Sequence, residues 1–186
     1  GVLTPGYDAT RQAISELFAS GAPPTPRWLV AGALIVTGVL LAIIGPALHR
    51  GLPGDGLAGP VLASLSGIAT IAVAVFPCTE GCPGYGTTFT DSMHTLTAGV
   101  GYLALISAPV AFGLRLRGHD DRFARVSIAV GTLAIAGFAV RYGGLYLPYG
   151  GLQQRVMNTL ADAWYVVAAV VVVRRWRGAR DQAGTA

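Results

Sequence analysis

Five stretches of this chain are predominantly apolar, at 27–48, 57–77, 94–114, 124–147 and 156–173, and polar residues collect between them. At about 1.5 Å per residue each is long enough to cross a hydrocarbon core of about 30 Å with little tilt. Val61 to Pro77 and Val156 to Val173 leave too few polar positions for a wet face, which argues against a soluble, very apolar helical core. Ahead of the first stretch, Pro5, Gly6, Pro23, Pro24 and Pro26 bracket Asp8 to Ala19. Asp8 is a residue type that caps helices, and Ile14, Leu17 and Phe18 recur at helical spacing. This predicts a short amphipathic helix lying on the membrane interface, the alternative being a disordered tail. The fold class is therefore all-α: a polytopic transmembrane bundle of five helices plus that interfacial helix. One integral-membrane domain is expected over 1–186, with no internal repeat of the inverted-transporter kind.

Composition agrees, with 53 % hydrophobic and only 12 % charged residues, where a soluble domain carries about a quarter charged. Dense small residues, with 26 glycines, predict close helix packing in lipid. The net charge of +4 comes from 13 arginines set against nine Asp and Glu, and there is no lysine. Nine of the arginines (50, 115, 117, 122, 125, 174, 175, 177 and 180) fall on one side of the bundle. Arg11, Arg27 and Arg155 fall on the other, and Arg141 lies inside a segment. Short positive loops stay in the cytoplasm, so 1–26, 78–93 and 148–155 are expected to face out and the C-terminus in. The arginines are thus accounted for by topology and by anionic lipid, with no nucleic-acid partner. Abundant Ala, Gly, Val and Arg without lysine points to a GC-rich bacterial genome and a plasma membrane.

Arg141 and Asp162 are the costly residues. Each lies about seven residues inside the turn that joins segments four and five, so both are expected at a similar depth. A charge in hydrocarbon pairs or lines water. An Arg141–Asp162 ion pair is expected, either as a ligand site or as a structural clamp. Arg155, Asn158, Thr159, Asp162 and Tyr165 share one helix face, as do His94, Thr97, Gly101 and Tyr102. A cavity open to the outer leaflet would gather His94, Arg141, Asn158 and Asp162; interhelical hydrogen bonding without a cavity is the other reading.

Cys78 and Cys82 are four apart on the exported side, where oxidation to a disulfide is expected. Two free thiols, or a metal site with His94 and Asp91 or Glu80, are the alternatives; the spacing is not a zinc pattern, and no metal or cofactor is implied. His49 and His119 lie on the cytoplasmic side and cannot join His94 in a three-histidine site. Ser92 and His94 are two apart and point apart on a helix, which leaves no serine nucleophile group.

The run Tyr7-Asp8-Ala9-Thr10-Arg11, then Ile14-Ser15-Glu16, Phe76-Pro77 with an acidic loop, His94, and Gln154-Arg155 with Trp164 resembles the bacterial membrane family catalogued as domain of unknown function 998. That family looks like a distant neighbour of DRAM-type membrane proteins. The resemblance spans nearly the whole chain and implies a further transmembrane helix ahead of residue 1. Phe18 stands where the family pattern has glycine. No reaction comes with the resemblance. It implies that Asp8, Arg11, Ser15, Glu16, His94 and Arg155 occupy motif positions, and the arginine distribution puts all of them outside or near the outer surface. The leading expectation is a polar pocket that binds a lipid or small amphiphile, with Asp8 to Glu16 as lid and His94, Arg141, Asp162 and Arg155 as floor. An enzyme acting on lipid, with His94 and Asp91 or Asp162 as acid–base pair, and a subunit of a larger membrane complex are the other classes.

Overall fold

The computed structural model describes residues 3–143 and 148–183, apart from the side chains at 179, 182 and 183. The end of the fourth apolar stretch, 144–147, lies outside the described residues. Five helices follow one another: α1 (Pro24–Gly51), α2 (Ala58–Val75), α3 (Phe89–Leu116), α4 (Asp121–Tyr142) and α5 (Gly150–Ala183). All five are long and apolar enough to cross a membrane, and no strand occurs among the described residues. Large apolar side chains such as Trp28, Leu40, Ile68, Leu133 and Val166 face outward from every helix, as lipid contact requires.

Consecutive helices pack antiparallel, and α5 closes the bundle against α4, α1 and α3. Backbones approach closely where glycine permits. A Cβ on Gly67 would lie 2.3 Å from the Ala42 nitrogen and 2.4 Å from the Gly38 oxygen, so α1 and α2 touch main chain to main chain. Gly113 and Gly131 do the same between α3 and α4. Deeper in the bundle Trp164 stacks on Phe123 at 6.1 Å, meets Phe112 at 5.5 Å and donates its indole N–H to the Ser127 hydroxyl at 2.9 Å.

The two ends of the bundle differ. At the arginine-rich end, Arg115 donates to the carbonyls of His49, Leu52, Pro53 and Gly56 and so caps the α1–α2 connection. Arg175 meets Asp120 at 2.7 Å, while the other Asp120 oxygen caps α4 through Phe123 N–H. Some of these arginines therefore hold the fold as well as marking a side.

At the opposite end the N-terminal segment departs from expectation. Only Ile14–Leu17 is helical, as a 3-10 turn, and the rest is a strap of turns. The physical reason is competition for backbone groups. The Asp8 carboxylate accepts from Thr10 N–H at 2.9 Å and Thr10 hydroxyl at 2.6 Å, which closes a tight turn instead of starting a helix. Arg155 takes the carbonyls of Ala9 and Gln12, which an α-helix would have used internally. Helix ends differ too. The Thr88 cap starts α3 at Phe89 rather than near His94. Strap carbonyls accept the first N–H groups of α5 (Gly151 N–H to Arg11, Leu152 N–H to Thr10), so α5 begins at Gly150 and Arg155 sits in the helix rather than in a loop.

Candidate functional site

The strap is fastened to α5. The Arg155 guanidinium reaches the carbonyls of Ala9 at 2.7 Å and Gln12 at 3.0 Å, and also the Tyr7 hydroxyl. Gln154 accepts from Ile14 N–H at 2.9 Å and donates to the Tyr102 hydroxyl at 2.7 Å. Gly151 is the contact point: a Cβ there would lie 2.3 Å from the Gln12 oxygen. Glu16 folds back onto Ala13 N–H at 2.9 Å and takes the Gln12 amide at 2.6 Å. Phe18, where the family pattern has glycine, has φ −125°, which any residue adopts; its ring is 2 % exposed and lies 5.7 Å from the His94 ring.

The second cover is the loop between α2 and α3. Cys78 and Cys82 are disulfide-bonded, with Cα atoms 5.0 Å apart. Asp91, fully buried, accepts from Thr79 N–H at 2.7 Å and from the hydroxyls of Thr79 and Thr88 at 2.9 and 2.6 Å. Both of its oxygens are therefore spent on holding this loop, which Ser20 N–H joins to the strap through the Cys78 carbonyl at 2.8 Å.

Under these covers lies a cavity of about 460 Å³. Ile14, Ser15 and Phe18 roof it, Leu34, Val73 and Ala98 line the depth, and Phe138 and Tyr142 wall one side. Its polar lining residues are Ser15, His94, Thr95, Tyr102, Tyr142 and Gln154. A narrower space of about 80 Å³ shares Leu34, Val73, Ala98 and Tyr102 with it and reaches Leu105. His94 Nδ1 faces the Phe76 carbonyl at 2.8 Å, which requires a proton on Nδ1 and leaves Nε2 as the basic nitrogen. Tyr102 accepts from both Gln154 and, at 3.5 Å, Asn158, so its own O–H remains a donor. Among the described residues, His94 and the phenols of Tyr102 and Tyr142 are the titratable side chains of the lining, and no carboxylate, lysine or arginine is part of it.

Taken together, one strap, one disulfide loop and all five helices build a single covered space. The chain belongs to the family described as protein of unknown function (DUF998). The family's model matches residues 1–171, which takes in the strap, the loop and every cavity residue. No curated protein and no solved structure matches the chain. In this DUF998 protein the expected site residues separate into two groups. Ser15 and His94 line the cavity. Asp8, Arg11, Glu16 and Arg155 build or fasten the strap, and Arg11 lies 3.6 Å from Asp8.

The expected floor of charges is not there. The ion pairs among the described residues are Arg11–Asp8 and Arg175–Asp120, so the Arg141–Asp162 pair is absent. Arg141 lies over the Tyr142 ring at 5.1 Å, and the exposed Asp162 side chain sits on the flank of α5 within electrostatic reach of Tyr102 and Tyr165. Equal depth did not bring them together because the buried stripe of α5 runs through Gln154, Met157, Ala161, Trp164 and Ala168, which leaves Asp162 on the flank of the helix, toward Tyr165 rather than Arg141. Asn158 approaches Tyr102, but its Oδ1 is buried without a partner. Phe138 and the role of Phe18 escaped the sequence reading, because an aromatic in an apolar segment carries no mark that separates cavity wall from core.

Proposed function

We propose that this protein sits in a bacterial plasma membrane with its C-terminus in the cytoplasm and its strap outside, and binds one chain of a lipid or a small amphiphile with an uncharged, hydroxyl-type head. The observation that carries this reading is the cavity: its volume falls in the range of ligand sites, about 300–1,000 Å³, with mostly apolar walls and a few convergent polar groups. His94 Nε2 offers an acceptor and Tyr102 O–H a donor, the complement of a hydroxyl. The absence of Arg or Asp from the lining among the described residues disfavours a phosphate or other ionised head, whose burial unpaired is costly. The arginine distribution supports the orientation.

The test is mass spectrometry of small molecules released from protein purified in mild detergent. Wild-type protein is expected to carry a single-chain amphiphile in near-stoichiometric amount. Ala98→Phe, which fills the depth of the cavity, is expected to lose it while the fold persists. Wild-type protein without a bound amphiphile, or an Ala98→Phe variant that retains it in full, would overturn the reading.

A further inference from the structure

We propose that the outward face of α5 docks a transmembrane helix of a different protein, one that carries a basic side chain at the depth of Asp162. This inference uses the membrane-crossing helix and is independent of the cavity. The membrane-crossing part of α5 runs from Gly150 to Gly178. Asp162 lies 12 residues after its start and 16 before its end, roughly 18 and 24 Å at about 1.5 Å per residue. That places the carboxylate near the middle of a hydrocarbon core about 30 Å thick. Its side chain is exposed on the flank of α5, within electrostatic reach of Tyr102 and Tyr165, and no ion pair reaches it among the described residues. Acidic side chains at such depth face the interior or a partner, because lipid offers a carboxylate nothing.

The surrounding surface is shaped for a helix. Val156, Thr159, Ala163, Val166, Val170 and Val173 are all exposed, at alternating steps of three and four. This is the spacing of a coiled-coil seam, and the residues are small or β-branched, which lets a second helix approach closely. Asp162 flanks the middle of the seam. Beyond its end, Arg174 and Arg177 are exposed on the same helix.

The charges choose the occupant. A second copy packed in parallel would set Asp162 near Asp162 and the exposed arginines near their counterparts, like against like. A helix with one Arg or Lys near its centre and acidic residues at the arginine end complements every charge on the face.

The experiment uses the purified chain in phosphatidylcholine vesicles with a synthetic Leu/Ala transmembrane peptide bearing one central arginine, and the same peptide with leucine there. Energy transfer from the peptide to a dye on the C-terminus of the chain reads association. The arginine peptide is expected to bind at least tenfold more tightly than the leucine peptide. Asp162→Asn should remove that preference. Ala163→Trp, which leaves the carboxylate but blocks the seam, should remove binding, with the thermal midpoint of both variants close to wild type. Equal binding of the two peptides, or a preference that survives Asp162→Asn, sinks the proposal. So does tight association between two copies of the chain, or an increase in peptide affinity on Arg141→Gln, which would mean that Asp162 is neutralised within its own chain.

Discussion

Gly151 is the residue on which the covered cavity depends most directly. Its missing Cβ is what lets the Ala9 and Gln12 carbonyls settle on the first turn of α5, 2.7 and 2.3 Å from where a methyl group would sit. Gly151→Ala is expected to cost about 1–3 kcal/mol by overpacking and to release the strap, seen as faster amide exchange over 7–20 with α3 unchanged. Unaltered exchange there would show that the strap has room to shift. Asp8 gives the strap a pH dependence. The Thr10 hydroxyl, then the Thr10 N–H, and in smaller part the Arg11 charge, hold its carboxyl below its ordinary 3.8. The folded value is the lower one, so the stabilisation is complete above 3.8 and is lost as pH falls below it. Protection of the Thr10 amide should fall in that acid range, and Asp8→Asn should abolish the dependence. Asp8 could be picked from the sequence as a capping type. That it closes a turn on Thr10 could not, because the same side chain serves helix and turn, and only the pull of Arg155 from 146 residues away decides between them.

The helices were legible because their apolar runs are long, and lipid rewards length and apolarity whatever the packing. Their ends were not, since α3 begins five residues early on the Thr88 cap and α5 begins on strap carbonyls that no local signal announces. Which face of each helix turns inward was also hidden: in lipid both faces are apolar, and the polar residues of α5 divide between Gln154 inside and Asp162 outside. Small residues mark the true contacts only where something lies against them. A Cβ on Gly67 meets the α1 backbone at 2.3 Å, whereas one on Gly99 meets nothing within 4 Å. Gly67→Ala is therefore expected to destabilise the bundle by about 1–3 kcal/mol. Gly99→Ala should be neutral, or more stable by about 0.5–1 kcal/mol through helix propensity. Detergent-unfolding midpoints of the two variants decide this, and equal midpoints would refute the close α1–α2 contact.

For the whole molecule, the two ends of the bundle carry opposite kinds of construction. One end is stapled by charge, with Arg115 on four carbonyls and Arg175 on Asp120. The other is built from turns, a disulfide and a fully buried aspartate. A disulfide persists in an oxidising compartment, and short arginine-rich loops stay in the cytoplasm, so two unrelated forces support the proposed orientation. Because Gly151 is buried under the strap, a label there would report packing rather than sidedness. Tyr85, 67 % exposed in the disulfide loop, is the better reporter, paired with a cysteine added after Ala186. In intact cells a membrane-impermeant maleimide is expected to label Tyr85→Cys and to spare the C-terminal cysteine until the membrane is opened. Intact-mass measurement without reductant should find Cys78 and Cys82 oxidised in the same preparation. The reverse labelling pattern would put the cavity in the cytoplasm and the disulfide in a reducing compartment. It would remove the orientation and, with it, the outer leaflet as the source of the amphiphile.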